Sequence, residues 1–257
     1  MISSTSNARV KQVQRLLRDK RFRQRERLYV VEGTRWVTEL VDAPHSPPAE
    51  VFYTAAWAAT PAHTAILPRL HAAPQLVSDG VMAAMSDTET PAGVLALVPL
   101  APRPLPARLG LVLALDGIGT PGNLGTMLRT AAAAGVDAVL LSPGCVDAYN
   151  PKVVRGSMGA LLRLPVHELG WDAMRQALAG LAVWAAVVDD AVPYTAVSWQ
   201  APAAILIGSE AQGISPQGLA LATGRTTIPI RAHTESLNAA VAAGVLLFEA
   251  VRQRTNS

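Results

Sequence analysis

Three short segments carry glycines or polar side chains that could hold and act on a ligand. The segment 123–129 begins with an asparagine and ends with an arginine, residues 208–210 read Gly-Ser-Glu, and residues 236–238 read Ser-Leu-Asn. Glycine allows bare backbone to approach a flat ligand. The guanidinium of Arg129 can bind a phosphate or the edge of a ribose. We therefore predict that these segments form one ligand site.

Each segment also has a plainer interpretation as the start of a helix. Asn123 could be a simple N-cap beside a solvated Arg129, and Ser215 followed by Pro216 could cap the next helix. The segment 236–238 could cap the last helix in the same way. Capping does not explain why all three segments follow apolar runs. Open α/β sheets bind ligands at the carboxyl ends of their strands, which favours a shared site.

The first segment is preceded by Gly-Ile-Gly-Thr-Pro-Gly at 117–122, which formally matches a dinucleotide-binding fingerprint. In dinucleotide-binding folds the strand after the glycine-rich turn ends in an acid that holds a ribose, and backbone amides contact the pyrophosphate. Here the next apolar run, 138–141, is followed by Ser142 and Pro143, and Pro121 lacks an amide donor. A nicotinamide site is therefore the weaker alternative.

The elements that must position these segments follow from the apolar pattern. Apolar runs at 111–115, 138–141, 181–188, 204–207 and 226–230 alternate with helical patterns. Such runs predict a parallel sheet covered on both faces, and hence an α/β fold class. The proline-rich segment 99–108 predicts a linker between a small α/β domain at 1–98 and a second domain at 109–257. Residues 51–91 give no recognisable functional pattern.

Basic residues concentrate near the N-terminus. Residues 1–30 contain nine Lys or Arg residues and two acidic ones, a net charge of +7, whereas the rest of the chain carries −4. Clustered cations favour a polyanionic partner, because neutralising phosphates releases counterions. The candidate nucleic-acid contacts are Arg9, Lys11, Arg15, Arg18, Lys20, Arg21, Arg23 and Arg25. The alternative is a solvated face of the amphipathic helix that the spacing of Val10 and its apolar neighbours predicts.

Composition excludes several classes of protein. Hydrophobic residues make up 50% of the chain and charged residues 16%, which excludes a disordered polyelectrolyte. The longest apolar stretches are too short for the roughly 18 to 20 residues that cross a bilayer, and the pattern of a secretory leader is absent, so we expect a cytoplasmic protein. The single cysteine, Cys145, and five scattered histidines predict neither a disulfide nor a metal site.

Taken together, the segments resemble the three motifs of the SpoU (TrmH-like) RNA ribose 2′-O-methyltransferases. The motifs are Asn-x-Gly-x-x-x-Arg-x-Ala at 123–131, Gly-Ser-Glu-x-x-Gly at 208–213, and Ile-Pro-Ile at 228–230 followed by Ser-Leu-Asn at 236–238. The resemblance covers residues 109–254. The segments 6–11 and 30–33 also resemble the substrate-binding domain that precedes the catalytic domain in members acting on ribosomal RNA.

The resemblance implies a deep trefoil knot, a homodimer, and S-adenosylmethionine held by the knot loops. By motif position, the cofactor residues are Gly208, Ile228, Ile230 and Leu237, and the catalytic and RNA-facing residues are Arg129, Asn123, Glu210, Ser236 and Asn238. Two departures are visible. Ile230 stands where the family often has Met, and Ala239 and Ala240 stand where it often has Val and Ser.

The expected reaction is methyl transfer from S-adenosylmethionine to a ribose 2′-hydroxyl of structured RNA, with ribosomal RNA preferred. Transfer RNA methylation and a noncatalytic RNA-binding dimer are the alternatives. In this family the arginine of the first motif is commonly proposed as the base. A guanidinium keeps its proton near neutral pH, so we expect Arg129 to orient the ribose or a neighbouring phosphate. The role of Glu210 stays open at this point.

Overall fold

The computed structural model describes residues 1–43, 45–231 and 235–255, which form two compact units. The first unit comprises residues 1–101 together with 149–162, and the second comprises the other described residues. In this part of the chain, no helix combines the length and the hydropathy required to cross a membrane. The domain limits drawn from the proline-rich segment stay a prediction.

The first unit is built on a four-stranded mixed sheet. Its elements up to residue 101 are α1 (Ala8–Arg18), α2 (Lys20–Glu26), β1 (Leu28–Glu32), α3 (Thr34–Val41), β2 (Glu50–Thr54), α4 (Ala55–Ala58), α5 (Pro61–Thr64), β3 (Pro74–Val77), α6 (Asp79–Met85) and β4 (Val94–Pro99). The strand order is β1-β4-β2-β3, with β4 antiparallel to both of its neighbours and β3 parallel to β2. Val30 packs in one core with α1 and α6, and Val31 packs in a second core with α3. Helices therefore cover both faces.

The basic arm predicted at the N-terminus is folded as α1 and α2. The Asn7 side chain caps α1 by accepting a hydrogen bond from the backbone N–H of Arg9 at 2.8 Å, and Val10 on the apolar face of α1 is fully buried. The Asp19 carboxylate caps α2 by accepting from the backbone N–H of Phe22 at 3.0 Å. This hydrogen bond holds the pKa of Asp19 below its ordinary value.

The second unit is built on a seven-stranded parallel sheet. From residue 102 onward the elements are β5 (Leu111–Asp116), α7 (Pro121–Ala133), β6 (Ala138–Leu141), α8 (Pro151–Ser157), α9 (Ala160–Arg163), β7 (Val166–Glu168), α10 (Trp171–Ala177), β8 (Ala182–Ala186), β9 (Val192–Pro193), β10 (Ala203–Gly208), α11 (Pro216–Leu219), β11 (Gly224–Thr227) and α12 (Ala239–Thr255). The strand order is β7-β6-β5-β10-β8-β11-β9. Every residue of β5 is buried, as a doubly covered parallel strand requires. The predicted α/β fold class is confirmed.

Residues 149–162 lie within the second half of the chain but pack in the first unit. Val154 of α8 and Leu162 of α9 are buried in the core that contains Val31. The Tyr149 ring lies 4.9 Å from the Tyr29 ring, centroid to centroid. The sequence carries no linker signal around this segment, so only the structure shows that it packs in the core of the first unit.

The last predicted strand, 226–230, is displaced towards the N-terminus. In the structure β11 ends at Thr227, and Ile228, Pro229 and Ile230 follow it as irregular chain. Proline has no N–H to donate to a strand ladder, which opposes continuation of the strand through Pro229. The two isoleucines are thereby released from the sheet.

The last helix carries an ion pair that should make stability depend on pH. The Glu249 carboxylate accepts hydrogen bonds from Arg252 at 2.7 and 2.8 Å and from Gln253 at 2.8 Å. Together the hydrogen bonds from Arg252 and Gln253 lower the pKa of Glu249 to about 2. Because the folded pKa lies below the unfolded one, this contribution is complete above about pH 4.5 and is lost as the pH falls towards about 2.

We therefore expect Glu249→Gln to lower the thermal midpoint at pH 6, with a difference from wild type that shrinks as the pH falls below about 4.5. Thermal unfolding followed by circular dichroism across this range measures the effect. Glu89→Gln, at an exposed carboxylate of the first unit, is the control. A difference that stays constant with pH would contradict the role of the ionised pair.

Candidate functional site

A cleft of about 340 Å³ lies at the carboxyl ends of β8, β10 and β11. The last residues of these strands, Ala186, Gly208 and Thr227, line it together with the segments that follow them. This is the edge at which open α/β sheets bind ligands. The location predicted from the sequence pattern is therefore the one the structure offers.

The segment after β10 folds tightly over Gly208. A Cβ at Gly208 would lie only 2.2 Å from the carbonyl carbon of Gly213 and 2.3 Å from the backbone nitrogen of Ile214. Ser209 and Gly213 exchange two backbone hydrogen bonds, at 3.0 and 2.9 Å. Gly213 has a φ of +67°, in the left-handed region that favours glycine. The glycines thus allow a compact turn that no larger residue at 208 would permit.

The connection from β11 to α12 supplies an apolar wall. Ile228, Ile230 and Leu237 line the cleft together with Gly208, so the structure brings together all four residues predicted to bind the cofactor. Ser236, one of the predicted catalytic residues, also lines it. Residues 232–234, including a histidine, lie outside the described residues. The roles of the lining residues stay predictions.

A chain of side-chain amides joins the three predicted segments. Asn238 Nδ2 donates a hydrogen bond to Asn123 Oδ1 at 3.1 Å, and Asn123 Nδ2 in turn donates to Glu210 Oε1. Glu210 also lines the cleft. Asn123 therefore uses both ends of its side-chain amide, because its oxygen accepts from Asn238 and its nitrogen donates to Glu210. The contact orients the Glu210 carboxylate, whose partner the sequence did not identify.

The alternative interpretation as helix caps holds for two segments and is wrong for one. Thr120 occupies the N-cap position of α7, so Asn123 lies inside that helix and cannot be its cap. Ser215 caps α11 by accepting from the backbone N–H of Gly218 at 3.1 Å. Asn238 accepts from the backbone N–H of Ala240 at 2.9 Å, which caps α12 in addition to its contact with Asn123.

Arg129 lies in α7, away from the lining of the cleft. Its side chain is exposed and has no hydrogen bond or ion pair with any of the described residues. No ion pair within the described part of the chain therefore occupies the guanidinium, which can contact a bound ligand or substrate. The structure does not join Arg129 to the chain of amides.

The basic arm presents most of its predicted cations to solvent. Lys11, Arg15 and Arg18 are exposed on α1, at a spacing that places them on one face of the helix. The guanidinium carbons of Arg15 and Arg25 lie 4.4 and 4.7 Å from the centroid of the Phe22 ring. These contacts are short enough for cation–π attraction, which holds two guanidinium groups beside one ring.

The remaining members of the arm have different surroundings. Arg21 is exposed and Lys20 half-buried, whereas Arg9 is paired with Glu50 at 2.6 Å. Arg23 is only 3% exposed and donates a hydrogen bond to the carbonyl oxygen of Leu16 at 2.6 Å. The structure thus gives Arg23 a packing role in place of the predicted nucleic-acid contact.

The glycine-rich segment 117–122 is not part of the cleft lining. Its Pro121 is the first residue of α7, and Gly117 adopts a φ of +66° to leave β5. Cys145 nearby is buried, and burial raises the pKa of its thiol. Among residues 1–43, 45–231 and 235–255, no group of His, Cys, Asp or Glu side chains is placed to hold a metal ion. The position of the segment 117–122 outside the cleft lining gives no support to the nicotinamide alternative.

One residue of this region was missed by the sequence analysis. Asp116, at the end of β5, is 4% exposed and accepts hydrogen bonds from the backbone N–H of Ser215 and from the Ser142 hydroxyl. The available signal was an acid directly after the fully apolar run 111–115.

Two family models match the chain. Residues 110–248 match the SpoU rRNA Methylase family, and residues 7–96 match the MRM3-like substrate binding domain. Together the matches account for most of both units. The first match includes all three motif segments.

Similar proteins and structures agree with these matches. The chain is 38% identical to an uncharacterized tRNA/rRNA methyltransferase of Synechocystis, over 98% of this chain and 94% of that protein. It is 33% identical to a 23S rRNA guanosine 2′-O-methyltransferase of Bacillus subtilis, over 67% and 70% of the two chains. The structure of the SpoU methyltransferase AviRb from Streptomyces viridochromogenes, in complex with AdoMet, superimposes with a TM-score of 0.89 at 26% identity, covering 98% of this chain and 99% of that one.

Proposed function

Because the chain belongs to the SpoU rRNA methylase family, we propose that its cleft binds S-adenosylmethionine beside a ribose of ribosomal RNA. The chain is an S-adenosylmethionine-dependent RNA 2′-O-methyltransferase of the SPOUT fold, the knotted α/β architecture of its structural neighbours. The observation that supports the placement of the site is that two distant segments line one cleft, and that Asn123 of the third contacts Glu210 and Asn238 of the other two.

The residues of the cleft fit this cofactor. Gly208 and Gly213 line the cleft without side chains, which suits a flat adenine ring, and Ile228, Ile230 and Leu237 provide an apolar wall. Glu210 is the acidic residue among the described lining residues, and its carboxylate complements the positive charge of a sulfonium. Asn123 holds that carboxylate in place through its amide.

The chain's main task in the reaction is alignment. The cofactor supplies a methyl group that its sulfonium already activates. Holding this group in line with a ribose 2′-oxygen can supply about 7 to 11 kcal/mol of the barrier. We propose that the exposed guanidinium of Arg129 donates hydrogen bonds to the ribose or to an adjacent phosphate and so stabilises the developing charge on the oxygen. Ser236 and Asn238 supply short polar groups at the same edge.

Methyl transfer is tested with tritiated S-adenosylmethionine and three acceptors: ribosomal RNA, transfer RNA and a duplex without modification sites. We expect label in ribosomal RNA, mapped by primer extension to one ribose. Label in transfer RNA alone would favour the tRNA alternative. Cofactor binding without transfer to any RNA would favour the noncatalytic alternative.

The exposed face of α1 is proposed to bind the backbone of the RNA substrate. We expect the double variant Lys11→Gln and Arg18→Gln to bind ribosomal RNA more weakly, and the slope of log affinity against log salt to fall by about 1.4 to 1.8, because each lost phosphate contact removes about 0.7 to 0.9. Filter binding between about 50 and 200 mM salt measures the slope. Arg35→Gln, on α3 at the opposite face of the sheet, is the matched control. An unchanged slope in the double variant would contradict the assignment.

The homodimer implied by the family is proposed to use α12. Val241 and Phe248 are 53% and 51% exposed and lie seven residues apart, on one face of the helix. Exposed apolar side chains on a helix whose other side packs in the core are typical of an association surface. We expect Val241→Gln with Phe248→Gln to sediment as a monomer, whereas Val192→Gln, at the exposed edge strand β9, should not change the mass. A dimer that survives the double variant would overturn the assignment of this surface.

For the cellular compartment, we propose the cytoplasm.

A further inference from the structure

The buried carboxylate of Asp116 lies directly beside the turn 208–215, which is the turn proposed to bind the cofactor. Asp116 is the last residue of β5 and pairs in register with Gly208, the last residue of the neighbouring strand β10. Its Oδ2 accepts a hydrogen bond from the backbone N–H of Ser215 at 2.7 Å, and its Oδ1 accepts from the Ser142 hydroxyl at 3.1 Å. Both carboxylate oxygens are therefore engaged by groups that belong to other loops.

These hydrogen bonds connect three loops at one edge of the sheet. The Ser142 oxygen, after β6, also accepts from the backbone N–H of Gly117, after β5, at 3.1 Å. Ser215 ends the turn that begins at Gly208 after β10. A hydrogen bond to a buried ionised acceptor is stronger than one between neutral groups, and an amide left without its partner there is costly. The carboxylate therefore opposes any outward movement of the turn at Ser215.

The turn has little freedom to relax around this contact. A Cβ on Gly218 would come within 2.5 Å of Asp116 Oδ2, so the carboxylate also packs against the first turn of α11. At the other end the turn is closed over Gly208. Gly213 and Ile214, which lie between these two points, line the cleft. A shift at Ser215 must therefore move residues that face the ligand.

We propose that Asp116 is a positioning residue for S-adenosylmethionine, because it fixes the turn 208–215 in the shape that binds the cofactor. This inference rests on the proposed cofactor site. Asp116 itself does not line the cleft and takes no part in the chemistry. Loss of its carboxylate should raise the KM for the cofactor and leave kcat at saturating cofactor nearly unchanged.

Three variants test the proposal by calorimetric titration with S-adenosylmethionine and by steady-state methyl transfer. Asp116→Ala should weaken cofactor binding about tenfold or more, the loss that about 1.4 kcal/mol produces. Asp116→Asn keeps an acceptor for the Ser215 amide and should restore most of the affinity. The matched control is Asp137→Ala. Asp137 accepts from the backbone N–H groups of Gly110 and Leu111, at 2.6 and 2.9 Å, at the opposite end of β5.

The outcomes separate this proposal from the one on which it rests. Wild-type affinity in Asp116→Ala would overturn the role of Asp116 alone, and so would an equal loss in Asp137→Ala at an equal loss of thermal stability. Failure of the wild-type protein to bind the cofactor would overturn the cofactor site together with this inference.

If Asp116→Ala does not fold, the same hydrogen bond can be removed at its donor, the backbone N–H of Ser215. The φ of −66° at Ser215 is compatible with proline, so Ser215→Pro deletes the N–H. Ser215→Ala deletes only the hydroxyl that caps α11. We expect Ser215→Pro to bind the cofactor more weakly than Ser215→Ala, and equal affinities would overturn the proposal.

Discussion

Arg129→Lys should lower the single-turnover rate of methyl transfer about 10²- to 10³-fold, the usual cost of removing one transition-state donor. Lysine keeps the charge but loses the planar fork that can bind a ribose hydroxyl and a phosphate together. Cofactor affinity should survive, because Arg129 lies outside the lining of the cleft. Rapid-quench measurement of methyl transfer and calorimetric titration with S-adenosylmethionine give the two quantities separately.

Arg175→Lys is the matched control, since Arg175 is an exposed arginine on α10. It should transfer methyl groups at the wild-type rate. Equal single-turnover rates for Arg129→Lys and wild type would exclude Arg129 from the reaction. A parallel loss of cofactor affinity would instead place its role in binding.

Gly208→Ala should abolish most cofactor binding, with an affinity about ten- to a hundredfold lower than that of wild type. The added Cβ would lie 2.2 Å from the carbonyl carbon of Gly213, so the turn must open to accommodate it. Overpacking of this kind typically costs about 1 to 3 kcal/mol, which corresponds to the expected loss. Because the contact is with backbone, no side-chain rotation can relieve it. Calorimetric titration with S-adenosylmethionine measures the change.

Gly119→Ala is the control for Gly208→Ala and also tests the dinucleotide alternative. A Cβ at Gly119 meets nothing within 4 Å, so the substitution should leave S-adenosylmethionine binding unchanged. Titration of both variants and of wild type with NAD should show no binding. NAD binding that Gly119→Ala weakens would revive the glycine-rich segment 117–122 as a nucleotide site.

The sequence predicted the architecture well where the signal is local. The continuous apolar runs indicated the parallel sheet because strands covered on both faces exclude polar residues, and β5 is buried throughout. The amphipathic spacing of α1 was equally clear. The strand at 226–230 was wrong at its end because Pro229 interrupts the ladder inside an apolar run.

The candidate site was predicted in its parts more fully than in its connections. The second and third motif segments identified lining residues of the cleft. The motifs did not indicate that Asn123 would contact Glu210, which lies 87 positions further along the chain. Neither did they indicate the contact between Asp116 and Ser215, 99 positions apart. Periodicity reports which face of an element is apolar, and it carries no information about partners so distant in the chain.

By itself, the sequence determined the α/β class, the basic arm and the residue types available for binding and catalysis. These properties depend on composition and short-range spacing, which the chain has before it folds. Only the tertiary structure decided that Arg23 would be buried and that residues 149–162 would pack in the first unit. It also decided that Asp116, at the end of β5, would accept a hydrogen bond from the backbone N–H of Ser215, beyond the neighbouring strand β10. The physical reason is that the burial and pairing of a polar group depend on the path of the whole chain, because the groups that surround it come from distant segments.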